Sequence, residues 1–567
     1  MNKEALSIKD LSVTYSTSGY VTQAVKNLSF ELERGERLGI IGESGSGKTT
    51  TALAIMGLLS SQAKVSGEVT YNGKNLLSLS EEERNCCRWK KIAIVFQNSL
   101  DILNPVLTVR AQIAECIDRH LCMSKENTEE RVLELLRQVG LDRKWADCYP
   151  NQLSGGMRQR VLIAMALSCD PEVLIVDEPT TALDAVAKND IIALLSRIQK
   201  EKNLALIVSS HEMSTIQKLT DKTMVMYMGS VVECGRTKEV IFNPRHPYTR
   251  GLINSSTQIN CFRDLWGIPQ ENMSKKAEGC SFYKRCCQST DKCARLRPPL
   301  EKCGEDHCVA CNRGGILKLL EGRNIVKSYK IKSGKIAACK NVDLSIHSGE
   351  VVALIGESGS GKTTLANILC GMLSKDGGEV LFEGEKIRGF DATRRYDGIQ
   401  ITFQDSFSSI DEHFTVYQVI EEPLRLLKIG TKEERREMVE QALWDVQLPN
   451  SEEFYSKKCF MLSGGQRQRV AIARSLIMRP KLLIADEISS MLDPSTQANI
   501  LRLLKGLQNS KGFSMLYITH DLSLAKKIAD RVYIMKNGEI IEEGSALTVF
   551  MNPESEYTKR LLKCADL

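Results

Sequence analysis

The stretch GESGSGKTT occurs twice in this chain, from Gly42 to Thr50 and from Gly356 to Thr364. Each copy fits the pattern G-x-x-x-x-G-K-[ST] of a loop that joins a strand to a helix and binds phosphate. An apolar run with strand character precedes each copy, and a helix-forming run follows it. In that context backbone N–H groups and the positive end of the helix face the phosphate oxygens. The sequence therefore predicts two phosphate-binding loops, each between a strand and a helix.

The two loops carry the side chains that a nucleoside phosphate with Mg²⁺ needs. We expect Lys48 and Lys362 to reach the β- and γ-phosphates, and Thr49 and Thr363 to place a hydroxyl on Mg²⁺. The predicted loop residues are Gly42, Ser44, Gly45, Gly47, Lys48, Thr49 and Thr50 in the first copy, and Gly356, Ser358, Gly359, Gly361, Lys362, Thr363 and Thr364 in the second.

The repetition extends over most of the 567 residues. Asp177 and Asp486 are separated by the same interval as His211 and His520, which indicates two similar halves. In each half short β-branched runs alternate with helical patterns, as expected for an α/β domain with a largely parallel, buried sheet. A helical segment ahead of each LSGG sequence predicts an inserted helical subdomain. The predicted boundaries are 1–255 for the first domain, 256–315 for a Cys-rich linker element and 316–567 for the second domain.

Charge and cysteine content narrow the class of protein. The 76 basic and 70 acidic residues give a net charge of +6, without the clustered basic footprint of a nucleic-acid-binding protein. No apolar run reaches the roughly 18 residues of a membrane span, and the N-terminus does not resemble a signal peptide. We expect a cytosolic protein that docks on a membrane protein. The 19 cysteines should then be mostly reduced, and a cluster among them would indicate a metal.

Two carboxylates follow an apolar strand in each half: Asp177 and Glu178 in VLIVDEP, and Asp486 and Glu487 in LLIADEI. The first carboxylate of each pair is suited to hold Mg²⁺ or its water, and the second to polarise the attacking water as a general base. LSGG lies upstream of each pair, and a histidine lies downstream at the end of a strand.

Together with the phosphate-binding loops, this ordered set resembles the ATP-binding-cassette (ABC) ATPases over both halves. The resemblance implies ATP hydrolysis, with Glu178, His211, Glu487 and His520 as catalytic residues. It implies adenine stacking by Tyr15 and Tyr329, signature residues Ser154, Gly156, Ser463 and Gly465, an interface loop with Asp184 and Asp493, and Mg²⁺ binding by Thr49, Gln97, Asp177, Thr363, Gln404 and Asp486.

In that family the signature of one domain completes the ATP site of the other, so the two halves of this chain are expected to pair head to tail. Because both halves keep the glutamate, we expect both sites to hydrolyse ATP. The departures from the family pattern are Met157 for glutamine in LSGGM, Glu212 for aspartate after His211, and Ile488 and Met491 for proline and alanine after the second carboxylate pair.

The segment NPRHPYTRGL resembles an element of the oligopeptide, dipeptide and nickel importer ATPases, and NPESEYTKRLL echoes it after the second half. In this branch a following Cys-rich element holds a [4Fe–4S] cluster. By position its ligands are Cys280, Cys286, Cys293 and Cys311. Zinc and scattered reduced thiols remain alternatives, and Cys287, Cys303 and Cys308 are surplus to the pattern.

The resemblance implies an ATP-hydrolysing subunit on the cytoplasmic face of a membrane importer for peptides, nickel or related solutes. Its partners would be two transmembrane permease subunits and, indirectly, an extracytoplasmic substrate-binding protein, with coupling near Asn98 to Pro105 and Asp405 to Phe414. A tandem-cassette ATPase acting on ribosomes or nucleic acid is the alternative from another class. A fused sugar-importer ATPase fits less well, because it usually pairs one intact site with one degenerate site.

Overall fold

A computed structural model describes residues 4–17, 20–97, 102–256, 268, 278–331, 334–391, 393, 396–403, 410–488 and 492–565. The chain divides into two compact units. The first comprises residues 1–259, 273–284 and 290–315, and the second 260–272, 285–289 and 316–567. Within the described ranges no helix combines the length and apolar character needed to cross a membrane.

The first unit alternates strands and helices after an antiparallel start. Its strands are β1 (Glu4–Thr17), β2 (Tyr20–Glu33), β3 (Arg37–Ile41), β4 (Ala63–Tyr71), β5 (Lys74–Asn75), β6 (Ile92–Val95), β7 (Val173–Asp177), β8 (Ala205–Ser210), β9 (Lys222–Tyr227), β10 (Ser230–Arg236), β11 (Glu301–Lys302) and β12 (His307–Val309). Its helices are α1 (Lys48–Met56), α2 (Glu81–Cys87), α3 (Val109–Leu121), α4 (Lys125–Gln138), α5 (Gly155–Leu167), α6 (Ala185–Lys202), α7 (Met213–Leu219), α8 (Thr237–Phe242), α9 (Pro247–Ser255) and α10 (Asp291–Arg295).

The core of the first unit is a mixed sheet in the order β11-β12-β10-β9-β3-β8-β7-β6. Strands β6, β7, β8, β3 and β9 are mutually parallel. Strands β7 and β8 are buried at every position, which is why they read as continuous apolar runs rather than alternating ones. Because the strands are parallel, the loop after β3 and the carboxylates after β7 lie at the same edge of the sheet.

Two further layers flank this sheet. An antiparallel sheet in the order β2-β1-β4-β5 shares a hydrophobic core with α1 and with the core strands. Helices α3, α4 and α5 pack against one another and form the helical subdomain that the sequence predicts between the phosphate-binding loop and the carboxylates.

The second unit repeats this architecture. Its strands are β13 (Lys318–Ile331), β14 (Gly334–His347), β15 (Val351–Ile355), β16 (Gly377–Phe382), β17 (Glu385–Lys386), β18 (Ile399–Thr402), β19 (Leu482–Asp486), β20 (Ser514–Thr519), β21 (Arg531–Lys536) and β22 (Glu539–Ser545). Its helices are α11 (Lys362–Leu369), α12 (Val416–Leu426), α13 (Lys432–Asp445), α14 (Glu452–Ser456), α15 (Gly464–Leu476), α16 (Pro494–Lys511), α17 (Leu522–Ile528), α18 (Ala546–Met551) and α19 (Glu556–Cys564). The core sheet has the order β18-β19-β20-β15-β21-β22, and the antiparallel sheet the order β14-β13-β16-β17.

The two core sheets differ at one edge. In the first unit β12 pairs antiparallel with β10, and β11 pairs with β12. Both added strands come from the Cys-rich region. A buried contact between histidine and carboxylate fastens this addition, because His307 Nε2 lies 2.7 Å from Oε1 of Glu233, a side chain with no exposed surface. The end of the Cys-rich region is therefore built onto the first core sheet.

Candidate ATP sites

The first phosphate-binding loop occupies residues 42–47, between the end of β3 and the start of α1. The ammonium of Lys48 is 5 % exposed and donates to the carbonyl oxygens of Gly42 and Glu43 at 2.7 and 3.0 Å. Burial lowers the pKa of Lys48, and the nearby carboxylates of Glu178 and Asp177 oppose that shift. The loop thus holds a buried cation next to two carboxylates.

The second loop repeats this arrangement. Lys362 donates to the carbonyl oxygens of Gly356 and Glu357, each at 2.9 Å. Burial lowers the pKa of Lys362 as well, and Glu487 and Asp486 act against the shift. Nζ of Lys362 also lies 4.0 Å from Oε1 of Glu487.

The last glycine of each loop is required by the backbone. Gly47 and Gly361 have φ of 104° and 107°, in the left-handed region that side chains disfavour. A Cβ on Gly47 would lie 2.4 Å from the carbonyl oxygen of Ala24, and one on Gly361 would lie 2.1 Å from that of Ala338. Only glycine therefore allows the helix to start directly behind the loop.

The first carboxylate of each pair is buried at the end of its strand. Asp177 accepts a hydrogen bond from the hydroxyl of Ser209 on the neighbouring strand β8. Burial is the main cause that raises the pKa of Asp486, and a hydrogen bond from Thr363 opposes it. Oδ1 of Asp486 is buried without a hydrogen-bond partner in the described part of the chain. A cation would satisfy that oxygen, so Asp486, with the Thr363 hydroxyl beside it, fits a Mg²⁺ ion.

Three side chains converge on one oxygen of Glu178. Its Oε2 accepts from Nε2 of Gln97 at 2.7 Å and from the Thr181 hydroxyl at 2.9 Å, and Nδ1 of His211 lies 3.1 Å away. The His211 hydrogen bond is the largest cause that lowers the pKa of Glu178, and the same bond raises the pKa of His211. The glutamate is thus held ionised beside the loop lysine. The backbone of Glu178 has a φ of 48°, in the left-handed region.

The second half brings together the corresponding carboxylate and histidine. Glu487 has φ of 44°, and its Oε2 lies 3.4 Å from Nδ1 of His520. The His520 side chain is 60 % exposed. Gln404, predicted to be the counterpart of Gln97, lies outside the described residues, as does half of each of the two segments predicted to couple to a membrane partner.

The two signature serines begin helices. Ser154 caps α5 by accepting from the amide of Met157 at 3.4 Å. Ser463 caps α15 by accepting from the amide of Gln466 at 3.3 Å, and Gln466 Oε1 accepts in return from the Ser463 amide at 3.2 Å. Methionine cannot return that bond, so LSGGM differs from LSGGQ in half of a capping box. Gly156 and Gly465 lie in the first turn of these helices.

The remaining predicted residues occupy equivalent places in the two units. Asp184 and Asp493 cap α6 and α16, each accepting from two backbone amides. Tyr15 and Tyr329 lie near the ends of β1 and β13, where they pair with Thr22 and Ile336 on the next strand. Tyr329 is 40 % exposed, and the ammonium of Lys327 lies over its ring, 5.9 Å from the centroid.

The departures from the family pattern have separate structural consequences. Ile488 is 2 % exposed and packs in the core of the helical layer, and the preceding Glu487 keeps the backbone conformation of Glu178. Met491 lies outside the described residues. Glu212 contacts Lys188 and accepts from the Thr215 hydroxyl at 3.0 Å, whereas Asp521 at the equivalent place caps α17. The change from aspartate to glutamate therefore exchanges a helix cap for an ion pair.

The cysteines proposed as cluster ligands divide between the two units. Cys280 and Cys293 belong to the first unit and are joined by a backbone hydrogen bond of 2.8 Å. Burial raises the pKa of the Cys280 thiol, and the thiols of Cys293 and Cys311 add to the shift. Cys286 is grouped with the second unit. In the part of the chain that the structure describes, no three His, Cys, Asp or Glu side chains are placed to hold a single metal ion.

Three contacting residues were missed in the sequence. Ser209 and Thr181 bind the two carboxylates of the first half, and Tyr248 contacts the phosphate-binding loop. Ser209 ends a buried strand next to β7, which is a readable signal. Thr181 lies only three residues after Glu178, within the carboxylate motif itself. Tyr248 gave no signal, because its hydroxyl meets a loop residue 205 positions away.

Each unit therefore defines a nucleotide-binding domain in which a phosphate-binding loop, a strand-end carboxylate pair and a histidine meet at one sheet edge. The ABC transporter family model matches residues 25–181 and 339–490, and the model of the oligopeptide/dipeptide transporter C-terminal region matches residues 232–293. This chain belongs to the ABC transporter family. It is an ATPase that binds ATP and Mg²⁺, and it carries two cassettes in one chain.

Similar proteins align with nearly the whole of this chain. The oligopeptide transport ATP-binding protein OppD of Mycobacterium tuberculosis (strain ATCC 25618 / H37Rv) is 34% identical over 599 residues, which cover 98% of this chain and 97% of the relative. The glutathione import ATP-binding protein GsiA of Salmonella typhimurium is 36% identical over 581 residues, covering 99% and 89%. GsiA of Escherichia coli O157:H7 is 36% identical over 586 residues, covering 98% and 89%.

Proposed function

We propose that this chain energises the import of peptides, or of related small solutes such as nickel complexes, from the cytoplasmic face of a membrane. The observation that carries the proposal is the match of residues 232–293 to the oligopeptide/dipeptide transporter C-terminal region, which begins in β10 and extends into the Cys-rich region. The names of the relatives, an oligopeptide transport protein and a glutathione import protein, support import as the direction and small peptides as the class of solute. The proposed domain boundaries remain 1–255, 256–315 and 316–567.

The proposed partners are two transmembrane permease subunits and, through them, an extracytoplasmic substrate-binding protein. Exposed apolar side chains near the start of the first helical subdomain support a docking role, since Val106 is 75 % exposed and Ile102 39 %. Both follow Gln97, whose amide binds Glu178. Movement of a docked permease helix would shift this segment and, through the hydrogen bond of Gln97, the proposed general base Glu178.

The proposed ATP sites each use residues from both halves. Site one uses Lys48, Thr49, Gln97, Asp177, Glu178 and His211 with Ser463 and Gly465. Site two uses Lys362, Thr363, Gln404, Asp486, Glu487 and His520 with Ser154 and Gly156. The serines begin helices whose free N–H groups are suited to bind γ-phosphate, which supports their assignment.

Within each site the glutamate is the proposed general base and the histidine its positioning partner at γ-phosphate. In the first half Oε2 of Glu178 accepts from Gln97, Thr181 and His211. Nucleotide and water entering between Lys48 and Glu178 would compete for these bonds. We propose that Gln97 and His211 then release the carboxylate to take a proton from the attacking water.

We further propose that Cys280, Cys286, Cys293 and Cys311 hold a [4Fe–4S] cluster. The thiols of Cys293 and Cys311 lie close enough to Cys280 to add to the rise in its pKa, which supports a shared site for the first-unit thiols. A four-iron cluster binds each cysteine through a different iron, so it needs wider spacing than the four donors around one zinc. The cluster would supply a covalent brace for the region that carries β11 and β12.

The experiment that tests the cargo and the partners is affinity purification of the tagged chain from detergent-solubilised native membranes. We expect two multi-span permease subunits to co-purify, and ATP hydrolysis to rise when these are reconstituted with a loaded substrate-binding protein. Recovery of ribosomal proteins or nucleic acid without a permease would overturn the proposal. Iron and acid-labile sulfide analysis of the same anaerobic preparation, with absorbance near 400 nm, tests the cluster, and a colourless protein with one zinc would refute it.

A further inference from the structure

The second residue of the first phosphate-binding loop is held from outside the loop. The backbone N–H of Glu43 donates to the hydroxyl of Tyr248 at 2.9 Å, although the two residues are 205 positions apart. The carbonyl oxygen of the same Glu43 accepts from the ammonium of Lys48 at 3.0 Å. Glu43 therefore connects the tyrosine hydroxyl to the lysine that the site uses for phosphate.

An aromatic cluster fixes that tyrosine. Tyr248 has no exposed surface, and its ring centroid lies 4.6 Å from that of Tyr227 and 5.5 Å from that of Phe282. Phe282 is 3 % exposed and meets Tyr227 edge-on, with centroids 5.3 Å apart. His246 adds a constraint on the backbone, because its Nδ1 accepts from the Tyr248 amide at 3.1 Å. The position of the hydroxyl is thus set by packing on two sides.

Phe282 does not come from the cassette sequence. It lies two residues after Cys280, in the Cys-rich region that follows the first cassette. A buried aromatic pair stabilises the fold by the removal of apolar area from water and, in addition, by the favourable orientation of its two rings. The Cys-rich region therefore packs, through Phe282, directly against Tyr248, the residue that holds the first phosphate-binding loop.

The second half has the tyrosine but lacks this clamp. The hydroxyl of Tyr557, in α19, is buried and makes no hydrogen bond to another described residue. Burial and the nearby Glu357 carboxylate raise the pKa of Tyr557. The ring of Tyr557 is contacted by the ammonium of Lys536, which lies 4.2 Å from its centroid. Glu357 still accepts from Lys362 through its carbonyl oxygen. The two loops are thus built alike and are held differently.

We propose that Tyr248 is a positioning residue of the first ATP site, and that Phe282 makes this site, and not the second, dependent on the Cys-rich region. Several glycines leave the loop few side-chain contacts of its own. The bond between Glu43 and Tyr248 is partly buried, and a backbone N–H that loses its partner in such a place is costly. Removal of the hydroxyl therefore favours other loop conformations. In those conformations Lys48 is displaced from the phosphates of bound ATP.

The first variant is Tyr248→Phe in the full-length protein, which keeps the ring and removes only the acceptor. Apparent ATP affinity is measured by photolabelling with azido-ATP, followed by proteolysis to assign the label to each half. We expect the affinity of the first half to fall about three- to tenfold, the usual range for one lost hydrogen bond, with the second half unchanged. Because the loop holds phosphates in both the ground state and the transition state, KM for ATP should rise more than kcat falls.

Matched variants separate positioning from general destabilisation. Tyr557→Phe is expected to leave the first half unchanged and to have a smaller effect on the second. Tyr71→Phe removes another buried hydroxyl of the first unit, one that lies beside Asn72, Arg34 and Cys87, and should change neither half. Phe282→Ala is expected to lower the apparent ATP affinity of the first half only. Phe282→Tyr, which keeps an aromatic ring, is expected to have the affinity of the wild type.

The proposal is overturned if Tyr248→Phe leaves labelling of the first half unchanged, or weakens both halves equally. It is also overturned if the loss follows only from a lower unfolding temperature, measured on the same samples. Should Tyr248→Phe fail to fold, the Phe282 pair decides: equal labelling of the first half in the alanine and tyrosine variants contradicts the proposed clamp.

Discussion

The signature helices offer a reciprocal test, because the two halves differ there by one hydrogen bond. In the second half Gln466 and Ser463 exchange bonds of 3.3 and 3.2 Å, whereas Met157 in the first half only donates to Ser154, at 3.4 Å. Met157→Gln should complete the missing half of the capping box. Methionine and glutamine have similar helix propensities, so propensity does not predict a change.

The expected gain follows from one solvent-accessible hydrogen bond, about 0.5–1 kcal/mol. For a domain of this size that corresponds to a rise of about 1–4 °C in the unfolding temperature. It also corresponds to about two- to fivefold slower local opening of the helix N-terminus. We expect Gln466→Met to lose about as much in the second half, since it removes the same bond.

The assay is amide hydrogen exchange of the peptides that contain the starts of α5 and α15, with calorimetric unfolding of the same samples. Met157→Leu is the control, because it keeps an apolar side chain at this half-buried position and supplies no acceptor. The reasoning for the first signature is refuted if the amides at the start of α5 exchange in Met157→Gln as fast as in the wild type, or faster. This holds provided that Gln466→Met shows the expected loss of protection at the start of α15.

Three further predictions concern the chemistry of the sites. Glu178→Gln and Glu487→Gln should each reduce hydrolysis at their own site by about 10²- to 10⁴-fold, measured as single-turnover phosphate release, and unchanged release in either half would remove its glutamate from the mechanism. The pair of His211 and Glu178 raises the histidine pKa and lowers the glutamate pKa. Its stabilisation is therefore full only between about pH 4.5 and 6.5, and it is lost as pH rises through the raised histidine pKa or falls through the lowered glutamate pKa. Urea unfolding of His211→Ala should show a deficit below about 1 kcal/mol near pH 5.5 that shrinks by pH 8.5, and a deficit independent of pH would contradict the ion pair. Gly47→Ala should abolish ATP binding in the first half because it adds a clash to backbone strain. Gly45→Ala, with φ of 78° and open space around its Cβ, should cost only the strain, about 1–2 kcal/mol, and equal losses in calorimetric titration would contradict that distinction.

The sequence predicted the parts of the site that depend on local chemistry. Both loops, both strand-end carboxylates and the two serine caps are readable because each is a short pattern with a physical reason for its spacing. The parallel core sheet was predictable as well, because strands buried on both faces leave continuous apolar runs.

Long-range contacts were not predictable in the same way. No periodicity indicates that the Tyr248 hydroxyl meets the Glu43 amide, or that Phe282 packs beside it, because that partnership is set by how distant elements meet. The addition of β11 and β12 to the core sheet is a similar case, since two- and three-residue strands carry too little pattern. The replacement of aspartate by Glu212 conserves the charge, yet the side chain binds Lys188 and Thr215 instead of capping the helix that follows.

The most direct test of the proposed function is uptake of a labelled tripeptide by cells whose own copy of this chain is replaced. We compare the wild-type chain, the double variant Lys48→Ala with Lys362→Ala, and the Tyr71→Phe control. We predict ATP-dependent uptake with the wild type and the control, and none with the double variant at equal protein abundance. Equal uptake of tripeptide, glutathione and nickel in all three strains would contradict an importer ATPase.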